Sequence, residues 1–162
     1  MIVLGVDPGI TGALCLLRDR DVLRIEDMPA CVKPGNGAKV RRQIDAVALA
    51  AVLRGVTMGL RDECVVAVER VAAMPSMDAT TVFSLGDSAG VIRGVVAALG
   101  MTLVYVEPRV WKRRFNLDCS KGASRVRASE HLPDAAHHWA RAKDHNRAEA
   151  ALIARFAWEE RA

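Results

Sequence analysis

The chain of 162 residues has four cysteines and no CxxC pair among them. Cys15, Cys31, Cys64 and Cys119 stand far apart, mostly in apolar surroundings. They read as reduced interior thiols of an intracellular protein, not as zinc ligands or disulfides. Long apolar runs are missing as well, and none approaches the roughly 20 residues a bilayer helix needs. No basic leader with a cleavage site opens the chain, and its first apolar stretch is broken at Asp7, so no secretory signal is expected. Aromatics make up only 4% of the residues and form no aromatic-rich RNA-binding motif, so single-strand base reading is not indicated. Repeats, low-complexity tracts and linkers are absent, which leaves one domain over residues 1–162. What remains is a composition of 51% hydrophobic and 26% charged residues, ordinary for a globular protein of cytoplasmic type with no membrane partner.

Residues 2–7, 12–17 and 21–26 read as three strands joined by tight turns, an antiparallel meander. Residues 28–39, with Pro29, Pro34, Gly35 and Gly37, read as a loop. Apolar spacing then predicts a helix over 43–60, a buried strand over 64–68 and a second loop over 72–81. A small-residue helix follows over 85–99, then a fifth strand over 101–106, a short helix opened by Pro108, and helices over 120–132 and 147–160. That order predicts an α/β fold, a mixed five-stranded sheet with helices on both faces.

Two of these strands end in an acid. Val3-Leu4-Gly5-Val6 delivers Asp7 into the turn Pro8-Gly9-Ile10-Thr11-Gly12, and Val65-Val66-Ala67-Val68 delivers Glu69. Taken alone, Asp7 could cap its turn and Glu69 could pair with Arg70. If the two strands are neighbours, however, the carboxylates meet at the strand ends, where sites collect. A third acid, Glu149, sits among Ala148, Ala150 and Ala151 on an apolar helix. Small neighbours of that kind let a helix approach a sheet with the acid aimed inward. Asp144 precedes it in a segment, Asp144-His145-Asn146, that reads as a helix N-terminus. Carboxylates gathered at one point repel unless a cation joins them, and hard oxygen ligands favour Mg²⁺ or Mn²⁺. Such ions activate water in phosphodiester hydrolysis.

Between residues 109 and 127 stand seven basic residues, Arg109, Lys112, Arg113, Arg114, Lys121, Arg125 and Arg127, against one acid, Asp118. A stretch so short of opposing charge suits backbone phosphates. Trp111 and Phe115, interleaved at i,i+4, read as core anchors of the same helix.

The ordered set Gly5-Val6-Asp7-Pro8-Gly9, Val68-Glu69, Ser84-Leu85-Gly86, Pro108-Arg109-Val110-Trp111-Lys112 and Arg147-Ala148-Glu149-Ala150-Ala151-Leu152-Ile153-Ala154 resembles the RuvC-type Holliday junction resolvases of the RNase H-like nuclease superfamily. The resemblance spans nearly the whole chain. It implies a homodimer that binds a four-way DNA junction and nicks two strands symmetrically with Mg²⁺, leaving 5′-phosphates. Asp7 and Glu69 would be metal ligands and Glu149 would take the final acidic position. Family members place an acid or histidine where this chain has Asn146, so Asp144 or His145 could supply the fourth group. Lys112 and Lys121 match basic positions near phosphate, and Lys121 could stabilise transition-state charge. The aromatic that pries at junction bases is replaced by Ala72, in a loop about two residues longer, with Met74 the nearest candidate wedge. The small-residue helix over 85–99 is the expected dimer contact. This divergence and compact size are reminiscent of phage or prophage versions in a bacterial or phage-infected cell. Related activities are a broader branched-DNA, flap or RNA–DNA hybrid nuclease, or a junction-binding protein without chemistry.

Overall fold

The computed structural model describes residues 1–34, 41–60, 63–117 and 122–161. Its centre is a five-stranded sheet in the order β3-β2-β1-β6-β7, built from β1 (Ile2–Asp7), β2 (Ala13–Arg18), β3 (Asp21–Asp27), β6 (Cys64–Glu69) and β7 (Thr102–Val106). The first three strands form the expected antiparallel meander, while β6 joins β1 in parallel and β7 joins β6 in parallel.

Alternation along the strands sorts side chains to two faces. Ile2, Leu4, Val6, Leu14, Leu16, Val66 and Val68 belong to a core shared with α1 (Ala46–Val56) and α2 (Ala79–Ala98). Val3, Cys15, Leu17 and Ala67 face the other way, towards α3 (Pro108–Arg114), α4 (Ala123–His131) and α5 (His145–Glu159). Helices cover both faces, as the order of elements predicts. Trp111 and Phe115 are buried in the second core, at 0% and 2% exposure, and act as the anchors of α3.

Three local readings are corrected. The loop over 28–39 contains a strand, β4 (Ala30–Val32), that pairs with β5 (Arg42–Ile44) as a small separate hairpin. Helix α1 therefore starts later than spacing suggests, because Asp45 caps it by accepting from the Val47 and Ala48 amides at 3.0 and 2.9 Å. Helix α2 starts earlier, because Asp78 accepts from the Thr81 amide at 3.0 Å and turns the predicted loop into a first helical turn. At 20 residues and a mean hydropathy of 1.2, α2 is also long and apolar enough to cross a membrane by length and composition, a test that core helices of globular proteins pass equally. Its glycines, alanines and valines raise that mean although Asp87 and Arg93 interrupt the run.

Strand β1 and helix α5 approach each other closely. A Cβ on Gly5 would collide with the Ala150 carbonyl oxygen and stand 2.8 Å from the Ala154 Cβ. Glycine on the strand and alanine on the helix are what this close approach requires. The start of α5 is pinned as well: Arg147 grips both Asp27 oxygens, at 2.6 and 2.7 Å, and Asn146 Nδ2 donates to the Thr11 carbonyl at 2.5 Å.

Candidate active site

Parity along β1 and β6 decides where the acids go. In the parallel register Gly5 stands opposite Ala67 and Val6 opposite Val68. Asp7 and Glu69 thus end adjacent strands on the face that α5 covers. Helix α5 brings Glu149 to the same place, and the charges of Glu69 and Glu149 both act on Asp7. Burial, Glu149 and Glu69, in that order, push the Asp7 carboxyl up to about 7, against relief from the Gly9 amide and Lys112. Burial also raises Glu69, although Lys112 and the Trp111 indole partly offset the shift.

Each glutamate is held by a neighbour. Trp111 Nε1 donates to Glu69 Oε1 at 3.0 Å, and Lys112 Nζ stands 3.8 Å from the same oxygen. Ser124, buried at the start of α4, donates its hydroxyl to Glu149 Oε1 at 2.9 Å. Neither Trp111 nor Ser124 was expected here. Trp111 reads as a core anchor from its i,i+4 pairing with Phe115, and nothing in the spacing places α4 beside α5.

Asp144 has a partner of its own. Its carboxylate is 6% exposed and clasped by the Arg141 guanidinium at 2.8 and 2.9 Å. That pairing holds its pKa down to about 2. Asn146 is bonded to the Thr11 turn beside the site. Lys121 lies outside the described residues.

Folding supplies partners that the basic stretch lacks in sequence. Glu159 meets Arg114 at 2.9 Å, Glu130 meets Arg127 at 2.7 Å, and Arg125 donates to the Ala140 carbonyl at 3.1 Å. Arg109 and Arg113 are exposed on α3, and Met74 is 54% exposed in the segment after β6. Trp139 is core at 1% exposure and donates to Ser129 Oγ at 3.0 Å.

Among the described residues no three His, Cys, Asp or Glu side chains form a preformed metal cage. Magnesium does not require one, since it commonly takes one or two carboxylates and completes its shell with water and substrate phosphate. An all-oxygen donor set whose central member is pushed up to about 7 by burial first and then by its like-charged neighbours has the charge deficit that a hard cation would fill. The residues present therefore fit a magnesium ion held by Asp7 with Glu69 or Glu149.

This strand order, with parallel β1 and β6 carrying the acids and α5 closing over them, is the RuvC/RNase H-like fold. Among the solved structures that share it are Thermus thermophilus RuvC in complex with a Holliday junction substrate and the Thermus thermophilus RuvC structure. The first superposes with a TM-score of 0.59 at 16% identity, covering 99% of this chain and 95% of that one. The second gives a TM-score of 0.53 at 19% identity, covering 99% and 96%. No family model and no curated protein matches the sequence.

Proposed function

We propose that this chain is a metal-dependent, structure-selective endonuclease that cuts branched double-stranded DNA, four-way junctions foremost, by paired nicks from a homodimer. One observation carries the reading: β1, β6 and α5 bring Asp7, Glu69 and Glu149 within range of one another's charge, with Asp7 and Glu69 both raised by partial burial. The likeness to a RuvC solved on a Holliday junction supports DNA as the substrate.

Asp7, Glu69 and Glu149 would hold the magnesium, with manganese a natural substitute, and Asp144 would serve to brace the start of α5. The chemistry the cation would supply there is polarisation of the scissile phosphate and a lowered pKa of the attacking water. Glu69 is kept in a fixed orientation by Trp111, and Glu149 by Ser124, so both meet the substrate already aligned. Lys112 adds a positive charge beside the phosphate. Arg109 and Arg113 on α3, with Arg114, Arg125, Arg127 and Lys121, would contact the DNA backbone outside the cut site. Met74, 54% exposed, would touch bases near the branch. In α2 only Ser88, Ile92 and Val96 are buried, which leaves its glycine-rich face for a second copy.

The test is cleavage of labelled four-way, flap, fork, plain duplex and RNA–DNA hybrid substrates with Mg²⁺, Mn²⁺ or EDTA. Paired, metal-dependent nicks confined to the four-way junction are expected. Cutting across several branched forms would widen the substrate, hybrid-only cutting would overturn the resolvase reading, and binding without cutting would remove the chemistry.

A further inference from the structure

A groove runs from the turn that follows Asp7 to the small β4–β5 hairpin. One stretch, of about 370 Å³, is lined by Gly9, Ile10 and Thr11 of the Asp7 turn together with Thr80, Thr81 and Ser84 at the start of α2. Its neighbour, of about 520 Å³, shares Ile10, Thr80, Thr81 and Ser84 and extends to Lys33, Arg41 and Arg42 of the hairpin and to Phe83. The shared residues make the two volumes one continuous channel, each part within the size range of ligand clefts.

Phe83 is the unusual member of this wall. Its ring is 68% exposed on the first turns of α2, while Trp111 and Phe115 are buried. A phenylalanine left in water forgoes the stabilisation that burial would give. Lys33 Nζ lies 5.2 Å from the ring centroid, so the face already receives a cation.

Among the described residues five charged side chains line the channel, three basic and two acidic. Asp78 is engaged in capping α2, accepting from the Thr81 amide and, at 2.6 Å, from the Thr81 hydroxyl. Asp87 pairs with Lys33 at 3.6 Å with both partners more than a third exposed, a weak contact that a phosphate can displace. Arg42 donates to the Ala30 carbonyl and stiffens the hairpin, and Arg41 is exposed. A basic channel with an exposed aromatic face is the combination that holds single strands without regard to sequence.

We infer that this channel is a single-strand subsite: Phe83 stacks on an unpaired base of the DNA while Arg41, Arg42 and Lys33 take the flanking phosphates. The inference rests on the nuclease reading and names the part of the substrate that leaves the cut site. It assigns base stacking to a position that the scarcity of aromatics had concealed.

The probes are a blunt duplex and the same duplex with a single-stranded tail carrying 2-aminopurine, and the quantity is the ratio of their dissociation constants. The wild-type protein should prefer the tailed duplex and quench the 2-aminopurine. Phe83→Ala should weaken tail binding by on the order of tenfold and abolish the quench, as expected for one stacked base. Phe83→Trp should restore both and Phe83→Leu should not. Arg41→Glu should flatten the salt dependence of tail binding while keeping the quench. No preference for the tail in the wild type, an unchanged ratio in Phe83→Ala, or full rescue by leucine would each overturn the subsite. Sedimentation of Phe83→Ala provides a separate check, because conversion of a dimer to a monomer would reassign Phe83 to the interface between copies. Failure of the nuclease reading is distinct, since it shows as a wild-type protein that leaves every branched substrate uncut.

Discussion

Trp111 donates its indole proton to Glu69 Oε1 at 3.0 Å, across 42 residues of sequence. The side chain that fixes α3 in the core therefore also fixes one oxygen of a candidate metal ligand. The bond favours ionised Glu69, which burial works against. Trp111→Phe keeps most of the packing and removes the donor. It should cost about 1 kcal/mol of stability and raise the Glu69 pKa, so the acidic limb of the cleavage pH profile moves to higher pH. Activity measured across pH 5 to 9 (roughly the range where shifted carboxylates titrate) checks this, and an unmoved limb would make the bond purely structural.

Asp7 has the opposite pH logic. Its folded pKa, about 7, lies above the ordinary 3.8, so the folded state holds a proton that the unfolded state has lost between those values. Metal-free protein should lose stability as pH rises through that window, by a few kcal/mol at most, with the loss complete above about 7. Asp7→Asn should abolish cleavage, keep junction binding and flatten this pH dependence. Thermal melts in EDTA from pH 5 to 8 give the slope, and retained cutting by the variant would sink the metal-site assignment.

Magnesium should reverse that loss. A ligand at 100 times its dissociation constant stabilises by about 2.7 kcal/mol, so Mg²⁺ should raise the melting temperature of the wild type and not of Asp7→Asn. Ser124→Ala, which frees Glu149, should weaken the Mg²⁺ response about tenfold or more in concentration, as loss of an orienting hydrogen bond does. A titration of melting temperature against Mg²⁺ reads both.

Asp144 provides a contrast between bracing and ligation. Asp144→Asn should lower the melting temperature by breaking the clasp of Arg141, while metal-dependent cleavage stays within a few-fold of wild type. Loss of cleavage in a variant that remains folded would return Asp144 to the ligand set.

Gly5→Ala tests the close approach of α5. The added methyl has nowhere to go between two backbones, so destabilisation of about 3 kcal/mol is expected, with Mg²⁺ affinity reduced because Glu149 is displaced. Denaturant unfolding with and without Mg²⁺ measures both effects.

The sheet and the acids Asp7, Glu69 and Glu149 are legible in sequence because each depends on a short-range pattern: an apolar strand ending in an acid, or alanines around one. The Asp45 and Asp78 caps are also local, yet both are submerged in apolar periodicity that continues across the boundary. The β4–β5 hairpin is invisible because its strands are only three residues each. Pairings such as Trp111 with Glu69, Ser124 with Glu149 and Arg114 with Glu159 join elements distant in sequence, and no window contains both partners. The basic stretch looked unopposed for the same reason.

The contact of Gly5 with Ala150 and Ala154 means that β1 and α5 share one mechanical frame. Two of the three acids ride on these elements, so bending the protein cannot bring them together or draw them apart. Under the proposed function, whatever compliance a bound complex needs would come from the nucleic acid. A stiff duplex resists such distortion far more than a branch point, where stacking is already interrupted. Rigidity in a glycine–alanine seam can thereby act as a filter for the shape of DNA without contacting a single base.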